Sequence, residues 1–224
     1  MQISMVVFDM AGTTVDERNV VYHTLHKAIE KFCPTISFEE VLLYGAGKEK
    51  LQAIRETLIG TNNEMSEENI HAIFQDFLQL LDLAYQNLMV IPTKNTEQLF
   101  KDLRALNIQV VLNTGYNRVT ATSLINKLNW QQGIHYDLLV TASDVEKTRP
   151  APDMILLAMQ TLNIHDANMV IKVGDSTIDI EEGINAGCKY NIGVTTGAHT
   201  KEQLLTANPN FIFDNIYDLM TILQ

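Results

Sequence analysis

The chain opens on a nearly continuous apolar run, Ile3-Ser4-Met5-Val6-Val7-Phe8, the pattern of a strand buried on both faces. From about Val20 to Leu88 the pattern is helical and no strand is predicted. Leu25, Ala28, Ile29 and Phe32 recur at helical spacing before Pro34. Leu51, Ile54 and Leu58 repeat the spacing in a helix predicted over Lys48–Leu58. Ile70, Ile73, Phe74, Phe77, Leu78, Leu81, Tyr85 and Leu88 line a further helix, for which Ser66 is the candidate cap.

After Pro92 the pattern alternates. Helix Thr96–Leu106 leads to strand Gln109–Asn113, and helix Thr120–Leu128 to strand Asp137–Val140. Helix Pro152–Leu162 precedes strand Met169–Val173, and helix Ile178–Ala186 precedes strand Tyr190–Val194. A weak strand, Phe211–Phe213, and a helix, Ile216–Leu223, close the chain. Such alternation predicts right-handed crossovers and a parallel sheet covered on both faces. The fold class is therefore α/β: a core of residues 1–16 and 91–224, with an all-helical insert over 17–90.

Composition narrows the function classes. Hydrophobic residues make up 46% of the 224 and charged residues 19%, the balance of a packed globular protein. A net charge of −11 repels phosphate backbones and anionic lipid, so no nucleic acid and no membrane are expected as partners. No apolar run approaches the roughly 18 residues of a membrane span. The start has no basic segment and its apolar stretch ends at Asp9, so no signal peptide is expected there. Cys33 and Cys188 are read as two reduced thiols of a cytoplasmic protein. The six histidines lack metal-ligand spacing.

In an open α/β sheet, ligands sit outside the carboxyl ends of the strands. Four successive strands deliver polar residues there: Asp9, Thr114-Gly115, Arg149-Pro150, and Gly174-Asp175-Ser176-Thr177-Ile178-Asp179. Asp9 and Asp175 are hard oxygen donors suited to Mg²⁺, which would offset their repulsion of a phosphoryl group. Thr114, the Gly115 amide and the planar fork of Arg149 can hold phosphoryl oxygens. One Asp9 oxygen then remains as an in-line nucleophile, forming an aspartyl-phosphate that water hydrolyses. Gly12 and Thr13 would turn the chain sharply and aim backbone amides at the oxyanion. Taken singly, Asp175 and Asp179 could instead be helix caps.

These four segments, in this order, resemble the haloacid dehalogenase superfamily of hydrolases, over nearly the whole chain. The resemblance implies a Rossmann-like core, an inserted helical cap and a catalytic Mg²⁺. It implies Asp9 as nucleophile, the Ala11 carbonyl and Asp175 as metal ligands beside Asp9, and Asp179 as support for the metal's waters. It implies Thr114 and Arg149 as phosphoryl ligands.

Two departures narrow the branch. Ordinary phosphatases of the superfamily carry an acid/base Asp where this chain has Ala11, and usually Lys where it has Arg149. Ala11-Gly12-Thr13, Thr114-Gly115-Tyr116 and Arg149-Pro150 resemble phosphonoacetaldehyde hydrolases and their phosphonatase-like relatives, placing Tyr116 with Gly12, Thr13 and Gly115 around the substrate. Breaking a C–P bond yields a carbanion, and phosphonatases meet that demand with a cap lysine that forms a Schiff base with the aldehyde. Lys48, in Tyr44-Gly45-Ala46-Gly47-Lys48, aligns with that lysine; it could equally be a solvated residue opening its helix, with Lys50 as a neighbouring cation.

Other features differ from true phosphonatases. Leu51 replaces an expected histidine, Asn19 an expected cysteine, and Gly193-Val194-Thr195-Thr196-Gly197-Ala198 resembles phosphoglycolate-type phosphatases. Gly45-Ala46-Gly47-Lys48 is not a Walker loop, because Leu42 and Glu49 stand where it needs Gly and Ser or Thr.

Three functions follow as expectations. The first is a Mg²⁺-dependent, phosphonatase-like enzyme using Asp9 and Lys48 on a small organophosphorus substrate. The second is a phosphomonoesterase on the same scaffold, with water or a cap residue as acid. The third, a phosphoacceptor signalling domain, fits poorly with the chain length and the insert. Cap packing could build a homodimer, but no motif marks one.

Overall fold

The computed structural model describes residues 2–223. Strand β1 (Met5–Asp9) is buried along its whole length, as its unbroken apolar run requires. Its neighbours are β4 (Gln109–Thr114) and β6 (Val170–Gly174), both parallel to it. With β5 (Leu138–Thr141), β7 (Tyr190–Val194) and β8 (Phe211–Phe213) they form a six-stranded sheet of order β5-β4-β1-β6-β7-β8. Every pairing in it is parallel. The order reverses at β1, so the carboxyl ends of β1, β4 and β6 meet at a topological switch point.

Helices α5 (Thr96–Ala105), α6 (Arg118–Lys127), α7 (Asp153–Thr161), α8 (Thr177–Ala186) and α9 (Lys201–Leu205) connect and flank these strands. Phe8, Phe100 and Trp130 pack edge to face on one side, with ring centroids 5.4 and 5.3 Å apart. Met5, Val7, Met154 and Ile155 fill the other. Between β2 (Val15–Asp16) and β3 (Ile91–Pro92), which pair antiparallel, the chain forms α1 (Val20–Glu30), α2 (Phe38–Gly45), α3 (Lys50–Gly60) and α4 (Glu67–Asn87). These four helices pack on one another and form the cap. Among the described residues no helix is long and apolar enough to cross a membrane.

The structure adjusts several expected elements. The predicted helix over Lys48–Leu58 starts at Lys50, because the Glu49 carboxylate caps the Gln52 amide at 3.0 Å and leaves Lys48 in the preceding loop. The closing helix is a 3₁₀ turn over Ile216–Ile222. Helix α2 is capped reciprocally by Ser37 and Glu40, a box the apolar spacing did not mark. Ser66 does cap α4, accepting from the Asn69 amide.

Candidate active site

The loop after β1 folds tightly because the Met10 carbonyl accepts the amides of Thr13, Thr14 and Val15. Gly12 takes φ +82° there, and a Cβ on it would overlap the Asp175 carboxylate. The Gly12 and Thr13 amides are spent on the Val15 and Met10 carbonyls, at 2.9 and 3.2 Å, so the turn forms as expected but its amides serve the loop itself. The Thr13 hydroxyl instead donates to Asp175 Oδ1 at 3.3 Å, and the Ala198 amide donates to Asp175 Oδ2 at 2.6 Å. Gly197 packs so closely on Asp175 that any side chain would strike its carboxylate.

Asp9, Asp175 and Asp179 come from β1, the loop after β6 and the first turn of α8. Each offers a carboxylate oxygen, and the three oxygens lie within 4.8 Å of one another. All three residues are buried. Arg149 lies in the same buried cluster. Its Nη1 donates to Asp9 Oδ1 at 2.8 Å and to the Gly47 carbonyl of the cap at 3.2 Å, and stands 2.9 Å from Asp179 Oδ1. Its Nε donates to Glu182 at 2.9 Å, and its Nη2 to both the carbonyl and the side-chain oxygen of Asn113. Lys172 reaches Asp179 at 3.0 Å, Glu182 at 3.1 Å and Asn113 Oδ1 at 3.3 Å.

The proton affinities follow from this crowding. Burial, then the Asp179 charge, raises Asp9, against Arg149 and Lys172. Burial with the Asp9 and Asp179 charges holds Asp175 far above the usual carboxylate range. Burial would raise Asp179 as well, but Arg149 and Lys172 outweigh it and hold that carboxyl low. Asp9, Asp179 and Glu182 pair with the buried cations Arg149 and Lys172, whereas buried Asp175 forms no ion pair among the described residues. Three clustered carboxylates of hard oxygen donors, two of them raised by burial and mutual repulsion, fit one divalent cation such as Mg²⁺.

Ala11 lies in the same tight loop, two residues beyond Asp9. Thr114 is buried at the end of β4, its hydroxyl accepting from the Tyr116 amide at 3.2 Å. Gly115 faces the cap: a Cβ there would come within 2.8 Å of the Lys48 carbonyl. The Lys48 backbone thus reaches the site, while its ammonium pairs with Glu56 of α3. Lys50, two residues on, is buried, with its Nζ 5.3 Å from the ring centroids of both Tyr22 and Tyr116.

Asn113, Lys172 and Glu182 were missed in the sequence, although a signal for two of them was present. A lysine inside the apolar run Val170-Ile171-Lys172-Val173 needs a buried counter-charge, and Glu182 lies one helical turn beyond Asp179 on the same face.

The family model for haloacid dehalogenase-like hydrolases matches residues 6–193. The chain belongs to that family. A phosphonoacetaldehyde hydrolase of Bacillus mycoides is 31% identical over 224 residues, covering 93% of this chain and 83% of its own. One from Latilactobacillus sakei is 42% identical over 85 residues, or 38% of this chain and 32% of its own. Among solved structures, a phosphonoacetaldehyde hydrolase-like protein of Oleispira antarctica superposes with a TM-score of 0.85 at 24% identity, covering 100% of this chain and 92% of that one. A Haemophilus somnus protein assigned by prediction as a phosphoglycolate phosphatase gives 0.78 at 19% identity, covering 100% and 99%. These two structural likenesses bear on the fold. The protein is a hydrolase with a Rossmann-like core.

Proposed function

We propose that the protein takes a phosphoryl group from a small organophosphorus compound onto Asp9 in a Mg²⁺-dependent hydrolysis, with phosphonoacetaldehyde or a related phosphonate as substrate. The carrying observation is the Asp9 carboxylate, held by Arg149 at 2.8 Å and clustered with Asp175 and Asp179. Asp9, the Ala11 carbonyl and Asp175 would hold the metal, with Asp179 supporting its waters. When bound, Mg²⁺ neutralises the carboxylates and screens the phosphoryl charge.

The chain's own residues do the rest. Arg149 fixes one Asp9 oxygen and leaves the other to attack phosphorus in line. The bond to the leaving group breaks with its electron pair departing on that group. Water then hydrolyses the aspartyl-phosphate, returning Asp9 and inorganic phosphate. Thr114, at the end of β4, and Gly115 after it would bind phosphoryl oxygens.

Ala11 supports the phosphonate reading, because the proton donor that an alkoxide leaving group would use is missing there. The 31% identical phosphonoacetaldehyde hydrolase supports it independently. An imine route would need a cap lysine, for which the chain offers Lys48 and Lys50. The test is a screen of phosphate release from phosphonoacetaldehyde beside small phosphomonoesters, with Asp9→Asn as control. Release from phosphonoacetaldehyde that the control lacks supports the reading. Release from phosphomonoesters alone replaces it with a phosphatase.

A further inference from the structure

The cap meets the core through two groups of polar contacts. One lies near the points where the chain crosses between them. There the Tyr85 hydroxyl of α4 donates to Glu17 and meets the Tyr116 hydroxyl, both at 3.1 Å, and Lys127 donates to the Tyr85 and Leu88 carbonyls. The other group adjoins the site. Thr148 donates to Gln52 at 3.1 Å, Arg149 to the Gly47 carbonyl at 3.2 Å, and the His199 ring meets the Leu42 carbonyl of α2 at 3.2 Å.

Of these, His199 also touches a proposed metal ligand. It is buried, one residue beyond the Ala198 amide that holds Asp175 Oδ2. Its own backbone amide donates to the Asp175 carbonyl at 3.2 Å. Its Nδ1 faces the Thr177 amide at 3.1 Å. An amide N–H can only donate, so Nδ1 is the acceptor and the ring proton sits on Nε2. That proton is the one donated to Leu42. One residue therefore holds the backbone on both sides of Ser176 and ends on the cap.

Both ends of this link are built for it. Thr177 opens α8, and the first amides of a helix have no partner within it. Ser176, at the N-cap, spends its hydroxyl on Asp179 at 2.5 Å and caps no amide, so the imidazole does so instead. On the cap side, Gly47 takes φ +73° and sits so close to Ser176 and Ile178 that a Cβ would overlap both. The cap loop after α2 is thus seated on the same segment that His199 grips from the core.

We propose that His199 is a positioning residue that couples seating of the cap to the placement of Asp175 for its cation. With the cap seated, the Leu42 carbonyl fixes the imidazole, and His199 then holds Thr177 through its ring and Asp175 through its amide. Lifting the cap strips Nε2 of its acceptor, and a buried donor left unpaired is costly. The ring must then turn to find water, and Thr177 loses its acceptor. This inference rests on the reading of Asp175 as a metal ligand. Such coupling is reciprocal: what cap seating adds to cation affinity, the cation adds to cap seating.

The experiment uses the full chain with Mg²⁺ alone and no substrate. Calorimetry reads Mg²⁺ affinity, and hydrogen exchange reads opening of the cap in peptides that span α2 and the loop as far as Lys48. In the wild type, saturating Mg²⁺ should slow exchange there about fivefold or more. An asparagine amide reaches the position of Nδ1, and a glutamine amide that of Nε2. His199→Asn therefore keeps an acceptor for Thr177, and His199→Gln keeps a donor for Leu42. Each severs one end of the link. In both variants the Mg²⁺ effect on cap exchange should vanish. Mg²⁺ affinity should fall by the same factor by which Mg²⁺ slows exchange in the wild type.

A purely structural role would speed exchange with and without Mg²⁺ alike and leave the affinity unchanged. Wild-type cap exchange indifferent to bound Mg²⁺ overturns the assignment, and this arm needs no substitution to fold. A Mg²⁺ effect that survives in either variant overturns it too. Failure of the wild type to bind Mg²⁺ overturns the metal reading and this one together. Binding without a cap response overturns His199 alone.

Discussion

Arg149 Nη1 lies 2.8 Å from Asp9 Oδ1, the closest link between the third motif and the proposed nucleophile. The same guanidinium also holds Asp179, Glu182 and Asn113, so it assembles the site before any substrate arrives. The charges of Asp179, Glu182 and Asp9 keep its proton bound more tightly than usual despite burial, which works the other way. A lysine at this position could not span those partners, because it lacks the planar fork.

Asp9→Asn is expected to abolish phosphate release, since an amide is neither a nucleophile nor an anionic metal ligand. A loss of several orders of magnitude in kcat is the expected result. Activity within tenfold of wild type would remove Asp9 from the chemistry.

Chelation by EDTA should silence the enzyme, and Mg²⁺ should restore it. Ca²⁺, with its longer and more numerous bonds, should support little turnover. Full activity after exhaustive metal removal would show that the Asp9–Asp175–Asp179 cluster serves another purpose.

Arg149→Met removes one cation from among Asp9, Asp179 and Glu182 and leaves their buried charges uncompensated. A loss of about 3–5 kcal/mol in unfolding free energy is expected in urea titrations. Wild-type stability in that variant would mean the ion cluster contributes little to the fold.

Glu17 provides a pH test of stability. Burial raises its pKa from 4.5 to about 7, so the folded state favours the protonated form. Its stabilising contribution is therefore complete below about 4.5 and is lost as pH rises through about 7. Glu17→Gln mimics the protonated form. It should remove up to about 3 kcal/mol of the stability difference between pH 5 and pH 8. Urea midpoints at the two pH values check this; parallel shifts in wild type and variant would contradict it.

Gly197→Ala should act on metal affinity more than on folding, because the new methyl would strike the Asp175 carboxylate. The Mg²⁺ concentration for half activation is expected to rise at least about tenfold, as for other disturbed ligand supports. Unchanged activation would mean that Asp175 can shift without cost.

The sheet and the four rim segments were legible because the strands are short, largely apolar runs, with Asp9 and Thr114 at the ends of β1 and β4 and Asp175 just after β6. The side-chain directions were not. Lys48 and Lys50 are two residues apart and equally polar in sequence. Which one turns inward is decided by Glu49 capping α3 and by Glu56, six residues beyond Lys50, pairing with Lys48. The Glu17–Tyr85–Tyr116 chain joins residues 68 and 31 positions apart. No local spacing announces such a contact. Lys172 and Glu182 each left a local signal, a lysine among Val170, Ile171 and Val173 and a carboxylate one helical turn past Asp179, but only the fold shows that they pair.

The strand order has a consequence for the protein's synthesis. The chain emerges from its amino end, so Asp9, on the first strand of the sheet in chain order, appears before every one of its partners. Its partners come from β4, from Arg149, from the loop after β6 and finally from Gly197 and Ala198. Nascent chains and fragments that stop short of Ala198 therefore carry Asp9 without the contacts that hold Asp175 beside it.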